Sequence, residues 1–362
     1  MKTMEKTSLN LAKKRTFITH SSPDLGEKEI QALFDCVRSL QIKQGLRTEQ
    51  LEKRIASDMN YQGAVATSSG SQAIHLALRA LFPNKKVLIG LPSYICRSVY
   101  DAIILAGSKP VLLDIDPITY STSLEHAVKK GADAVIVPHL FGIRAPVEAF
   151  LKKKILVIED CAQRLPPLDL LRQEPKAPIR ILSFEATKLI TSGEGGMLLC
   201  QDKKILERAL QLRDAPYDFP HPAAGGLFTD LQAAMALVQW ERLPLFIERR
   251  KEIANYYLKT LEQGFADKIA KSMFAPDTFH YRFLLHHKNP AEFISQGERL
   301  RVAFRRPVAP RPLHQLFPCP GTFKATEEAF NHLISLPIYP RLTNKEASAV
   351  TETVIKILRR SL

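Results

Sequence analysis

Apolar positions in the first two thirds of the chain alternate between two periods. Ile30, Leu33, Phe34 and Val37 fall at helical spacing, as do Ile74, Leu76, Ala77, Leu78 and Leu81. A stripe that recurs every three to four residues is what an amphipathic helix lays against a core. Short apolar runs appear between and after these stripes, at Lys86 to Ile89, Pro110 to Leu113, Ala134 to Val137, Ile155 to Ile158 and Met197 to Cys200, each bounded by Gly, Pro or charged residues. Such runs predict strands buried on both faces, as in a mostly parallel sheet covered by helices. The region from Pro23 to about Trp240 therefore reads as α/β.

A helical stretch follows from about Thr229 through Leu261, interrupted at Pro244. Asp230 comes directly after Thr229 at its start, where a side-chain oxygen can satisfy free backbone N–H groups. The remainder reads as a smaller α+β domain with a proline- and arginine-rich segment from Arg305 to Pro320. The expected division is a basic arm over residues 1–18, a large domain over 19–245 and a small domain over 246–362. No internal repeat or low-complexity tract is present.

Composition narrows the class. At 362 residues, 45% of them hydrophobic, the chain is long enough for two domains with a large core, as in an ordinary soluble globular protein. The five cysteines are an odd number without a CxxC pair, so neither a disulfide framework nor a zinc site is expected and a reducing cytoplasm is the expected setting. The first fifteen residues carry Lys2, Lys6, Lys13, Lys14 and Arg15 against Glu5, with no apolar run after them. They read as a flexible solvated arm rather than a signal peptide or membrane span. A net charge of +14 attracts nucleic acid, anionic lipid and phosphorylated ligands alike. No nucleic-acid motif with stacking aromatics accompanies it and the arm has no amphipathic pattern, so neither nucleic acid nor a membrane is an expected partner.

Three local patterns carry candidate chemistry. Thr67-Ser68-Ser69-Gly70-Ser71-Gln72 runs into the helical pattern from Ala73 to Leu81, and small residues before a helix can hold a phosphate on free N–H groups, or form a plain N-cap. Asp160 ends the run from Ile155, at the carboxyl end of a strand, where functional groups of open α/β sheets collect. It could serve a cofactor's ring nitrogen or simply cap the strand end. Lys188 lies between the apolar stretch from Ile179 to Phe184 and the turn Gly193-Glu194-Gly195-Gly196. This setting predicts a desolvated ammonium with its pKa lowered toward a nucleophilic amine; the alternative is a surface charge.

The order of these and further motifs resembles the DegT/DnrJ/StrS family of pyridoxal phosphate (PLP) dependent sugar aminotransferases, from about Thr19 to the C-terminus. The resemblance rests on Thr67 to Leu78, Pro92-Ser93, Ala106 to Asp116, Val137 to Gly142, Ile158 to Gln163, Ser183 to Gly196, Asp230 to Ala234, Glu248-Arg249-Arg250 and Ser335 to Pro340. It implies a fold-type-I, aspartate-aminotransferase-like homodimer with sites at the subunit interface, a nucleotide-linked keto sugar as acceptor and glutamate as amino donor. By position, Lys188 would bind the cofactor as a Schiff base and then carry the proton, and Asp160 would pair with the pyridine nitrogen. Gln163 would lie beside the ring's phenolic oxygen, with Gly70, Ser71, Gln72 and Ser183 on the phosphate.

Two positions depart from the family pattern. Cys96 stands where most members carry an aromatic that stacks on the cofactor ring, and Tyr94 is the nearby aromatic that could take its place. Gly225-Gly226-Leu227 stands where members carry an Asn-Tyr-Arg segment whose Asn reaches the neighbouring subunit's cofactor phosphate. The departures raise one alternative, a regulator or scaffold that kept the fold. A sugar dehydratase of the same fold is another, although dehydratases of that kind carry histidine at the position of Lys188. Arg299, Arg301, Arg305, Arg306 and Arg311 suit either a solvated surface or a diphosphate site, and His314 matches a loop that approaches the active site.

Overall fold

The computed structural model describes residues 17–215, 220 and 222–360; the expected arm, apart from its last two residues, lies outside them. Among the described residues nine strands form two sheets: β1 (Gly63–Thr67), β2 (Leu88–Pro92), β3 (Lys109–Leu113), β4 (Ala134–Pro138), β5 (Leu156–Asp160), β6 (Ile179–Ser183) and β7 (Gly196–Cys200) in one, β8 (Phe283–His286) and β9 (Leu333–Leu336) in the other. The large sheet has the order β1-β7-β6-β5-β4-β2-β3. Only β7 runs against its neighbours, pairing antiparallel with β1 and β6. The mostly parallel α/β sheet expected from the apolar runs is present, with two strands, β1 and β6, that the five runs did not include.

Chain direction places the chemistry. Parallel strands deliver their following residues to a common edge, so Ser93, His139, Cys161 and Phe184 all emerge there. Because β7 runs the other way, its first residue meets them: Gly196 lies opposite both Thr67 and Ser183. A Cβ on Gly196 would stand 2.4 Å from the backbone N of Gly70, which only glycine avoids.

Three local expectations are corrected. The stretch from Asp230 to Phe265 is one 36-residue helix that continues through Pro244; proline there removes one rung of the ladder without ending it. Its N-cap is Thr229, in a capping box with Gln232, whereas the buried carboxylate of Asp230 serves a different helix, Leu46–Asp58. It accepts the N–H groups of Gly45 (2.9 Å), Arg47 (3.1 Å) and Thr48 (2.9 Å) and the Thr48 hydroxyl (2.8 Å). In the helix Glu27–Arg38, the stripe Ile30, Phe34 and Val37 faces outward, at 53–60% exposure, while Glu29 and Cys36 are buried. The inward turn of Glu29 is held by Gln239 (2.7 Å), by Arg242 and by the N–H of Gly26 (2.9 Å).

Candidate active site

The helix Gly70–Leu81 starts where β1 ends, and Ser69 caps it by accepting the N–H of Gln72 at 3.1 Å. A Cβ on Gly70 would stand 3.3 Å from the Ser183 hydroxyl oxygen, so the helix start and the end of β6 form one small cradle. Among the described residues, the Gly70 and Ser71 N–H groups have no intrachain acceptor and the helix dipole is positive there, the combination that favours phosphate. Gln72 is differently engaged. Its side-chain amide donates to the carbonyls of Ala224 (2.6 Å) and Gly225 (3.1 Å), and Ser68 donates its N–H to Gly226 at 2.7 Å. Gly225 and Gly226, at φ +66° and +80°, let residues 224–226 fold back onto this chain's own helix start.

Asp160 is buried at the end of β5, with one oxygen accepting the Ala162 N–H at 2.9 Å. Burial pushes its pKa above the ordinary value, opposed by that N–H and by the charge of Lys188. The Gln163 carbonyl oxygen accepts the Phe141 N–H at 2.8 Å, which turns its NH2 group outward as a donor. Lys188 closes the turn after β6, its N–H bonded to the Glu185 carbonyl at 2.9 Å. Desolvation pulls its pKa down as anticipated, but Tyr281, Cys96, Asp160 and Glu185 outweigh it, so the ammonium is held above its ordinary range. The expectation of a lowered pKa is therefore overturned, because the site is rich in groups that become negative.

Cys96, exposed at the start of the helix Arg97–Leu105, is near enough to Lys188 to act on its charge. Tyr94 does not take over the stacking position. It is fully buried, with its hydroxyl toward the Ala329 carbonyl (3.5 Å) and its ring edge-on to Phe141. His314 joins Ser93 (Nδ1 to Oγ, 2.7 Å) to Glu327 (Nε2 to Oε1, 2.6 Å) and stacks on Phe323. Of the five arginines, Arg299, Arg301, Arg305 and Arg311 are exposed, Arg305 pairs with Glu298 at 3.7 Å, and Arg306 donates to the Phe330 carbonyl.

Behind Asp160 lies a buried group that sequence reasoning missed. Glu159 on β5 stands in register with Arg180 on β6, which donates to both its oxygens at 3.0 and 2.9 Å. His139 adds a bond to Glu159 at 2.8 Å, and its Nδ1 accepts the Ala145 N–H at 2.9 Å, which defines a neutral ring with hydrogen on Nε2. A charge within each of two adjacent buried strands was the legible signal, since each requires a partner. Cys161 lies close to His139 and Glu159, but Arg180 occupies both carboxylate oxygens and burial drives the thiol well up, so these residues form an ion pair rather than a metal centre.

A fold-type-I sheet with a lysine, an acid and an open helix start at one edge defines a PLP-dependent transferase, and the donors present fit the cofactor: N–H groups for its phosphate, a carboxylate for its ring nitrogen and an amine for its aldehyde. The chain matches the model of the DegT/DnrJ/EryC1/StrS aminotransferase family over residues 23–355 and belongs to that family. It is an enzyme of the PLP-dependent sugar aminotransferase class. Similar proteins include a GDP-perosamine synthase of Escherichia coli O157:H7, 26% identical with 93% of this chain and 98% of that protein covered. A pleiotropic regulatory protein of Geobacillus stearothermophilus is also 26% identical, with 91% and 94% covered. In fold, the chain is similar to the aminotransferase TlmJ of Streptoalloteichus hindustanus, at TM-score 0.83 and 24% identity, covering 95% of this chain and 99% of that one. Among the described residues no helix is long and apolar enough to cross a membrane.

Proposed function

We propose that this chain transfers an amino group from glutamate to a keto group on a nucleotide-linked deoxysugar, with Lys188 as the residue that holds the cofactor and then the moving proton. The observation that carries the reading is the meeting of Lys188, Asp160, Ser183 and the Gly70 helix start at one sheet edge. When bound, pyridoxal phosphate supplies an electron sink for negative charge on the carbon beside the nitrogen. The chain's own residues do the rest. Gly70 and Ser71 offer N–H groups to the phosphate and Ser183 its hydroxyl, while Gln72 acts by holding residues 224–226 over that turn. Asp160 would hold the ring nitrogen's proton and the Gln163 NH2 would donate to the phenolic oxygen. The Lys188 amine would hold the cofactor and would carry the proton as a general base.

A nucleotide-linked acceptor is supported by the 26% identity to a GDP-perosamine synthase over nearly the whole chain. The outward stripe of Ile30, Phe34 and Val37, continued by exposed Leu40, Ile42 and Leu46, supports a homodimer, because a contiguous apolar face of this kind is usually covered. Phe34→Glu should shift the sedimenting species to monomer; an unchanged dimer would remove this face from the interface. The expected compartment is the cytoplasm. The test of function is to convert the PLP form with glutamate, then add keto sugars linked to thymidine, uridine and guanosine diphosphates. Return of the PLP absorbance with one of them is expected, and no return with any would overturn the reading.

A further inference from the structure

Arg282, the residue before β8, is half-buried, and its guanidinium carbon lies 4.3 Å from the centre of the Tyr281 ring. Lys188 Nζ lies 5.7 Å from the centre of the same ring, so one buried phenol carries both cations. The guanidinium is fixed there. Its Nη2 donates to Tyr281 Oη at 3.2 Å, and that oxygen lies 3.4 Å from Oγ1 of Thr187, the chain neighbour of Lys188. The backbone beneath is pinned as well: Arg282 donates its N–H to the Phe141 carbonyl at 3.2 Å, and buried Arg250 donates to the Tyr281 carbonyl at 3.3 Å.

What this guanidinium lacks is an acid. Buried arginines elsewhere are matched, Arg164 by Glu174, Arg180 by Glu159 and Arg213 by Glu52 and Asp214. Among the described residues no carboxylate pairs with Arg282, and the bond from Nη2 to Tyr281 is the one hydrogen bond its side chain makes. Arg250, on the same ring at 5.8 Å, also has no acid and rests on carbonyls. On the Lys188 side, Glu185 accepts the N–H (3.0 Å) and hydroxyl (2.6 Å) of Thr187, and Asp160 accepts the N–H of Ala162. Positive charge therefore gathers beside the lysine, with the Nε and Nη1 edge of Arg282 uncommitted. A planar fork of this kind matches one carboxylate with two parallel bonds, whereas a diphosphate spreads its charge over two groups and calls for more than one such side chain.

We propose that Arg282 binds the side-chain carboxylate of the amino donor while the donor's amino group is at Lys188, and so selects glutamate over its neutral amide, glutamine. Two methylenes separate the amine-bearing carbon of glutamate from that carboxylate, so one small molecule spans from the lysine along the phenol to the guanidinium. Tyr281 is the spacer, its ring setting the span and its oxygen holding the fork. Glutamine has the same shape without the charge, and its amide NH2 meets a guanidinium that has no acceptor to offer it. This inference rests on the proposed reaction at Lys188.

Loss of the PLP absorbance in the cofactor-loaded protein, followed against glutamate and against glutamine, tests the assignment. The wild type should prefer glutamate, and Arg282→Gln should lower that preference by about 10- to 100-fold, the worth of one charge-assisted fork. Arg282→Lys, which keeps the charge without the fork, should fall between the two and decides the matter if Arg282→Gln does not fold. An unchanged preference, or an equal loss with both donors, would overturn the assignment. So would a variant whose defect lies in the requirement for the nucleotide-linked sugar, since the diphosphate would then be the ligand. Glutarate, with two carboxylates and no amine, supplies a readout that needs no transamination. Calorimetry should show it binding the wild type about 10- to 100-fold more tightly than Arg282→Gln, and equal binding would count against the site. Should no keto sugar take up the amine, the proposed function fails while the glutarate comparison still decides the role of Arg282.

Discussion

Arg180 is fully buried and donates twice to Glu159, itself 1% exposed, so Arg180→Met leaves a carboxylate inside the sheet with only neutral His139 and the Ala177 N–H as partners. Breaking one side of a buried ion pair costs about 3–5 kcal/mol, because the remaining charge keeps its desolvation penalty and loses its compensation. Burial raises the Glu159 pKa, but Arg180 and His139 more than reverse this and bring it to about 2. Its ionisation therefore contributes stability above the ordinary glutamate value, and that stability is lost as pH falls from about 4.5 toward 2. In Arg180→Met the Glu159 pKa should rise, so the cost should be largest at neutral pH and shrink on acidification as the carboxylate protonates. Urea denaturation of cofactor-free wild type, Arg180→Met, Glu159→Gln and the double variant, at pH 7.5 and 5, measures this directly. The double variant should recover at least about 2 kcal/mol relative to the sum of the singles. Additive losses, or a cost for Arg180→Met below about 1 kcal/mol at neutral pH, would refute the paired-charge account.

Gly196→Ala places a methyl against the Gly70 and Ser69 backbone and should weaken cofactor retention by about 10- to 100-fold in a spectroscopic titration, the equivalent of one charge-assisted bond to phosphate. Asp230→Ala removes the cap of the helix Leu46–Asp58 and should destabilise the protein by about 2 kcal/mol in denaturant, whereas Thr229→Ala should cost about 1 kcal/mol.

Much of the sheet was legible in the sequence because buried parallel strands require continuous apolar runs. β1 escaped because Gly63-Ala64-Val65-Ala66-Thr67 is small rather than strongly apolar, and β6 because Arg180 interrupts it. The stripe of Ile30, Phe34 and Val37 was correctly helical, but periodicity identifies an apolar face without saying what covers it. Strand-end position and motif order made Lys188, Asp160 and Ser183 candidates, and the structure brings them to one edge of the sheet. Tyr281 was not legible in this way, since it reaches the lysine through tertiary packing from 93 positions further along the chain. The direction of the Lys188 pKa shift was misjudged for the same reason: local sequence showed the apolar flanks and hid the phenol.

Gly225-Gly226 also acquires a positive role. Residues 224–226 bind the side chain of Gln72 and the N–H of Ser68, so this segment is folded against the helix start of its own chain.

The central assignment is that Lys188 is the amine that binds the cofactor. Reconstitution with pyridoxal phosphate, borohydride reduction and peptide mass mapping test it most directly. One peptide carrying the reduced cofactor on Lys188, and no visible band or label in Lys188→Ala, is the expected result; label on another lysine, or none on a folded wild-type protein, would contradict it.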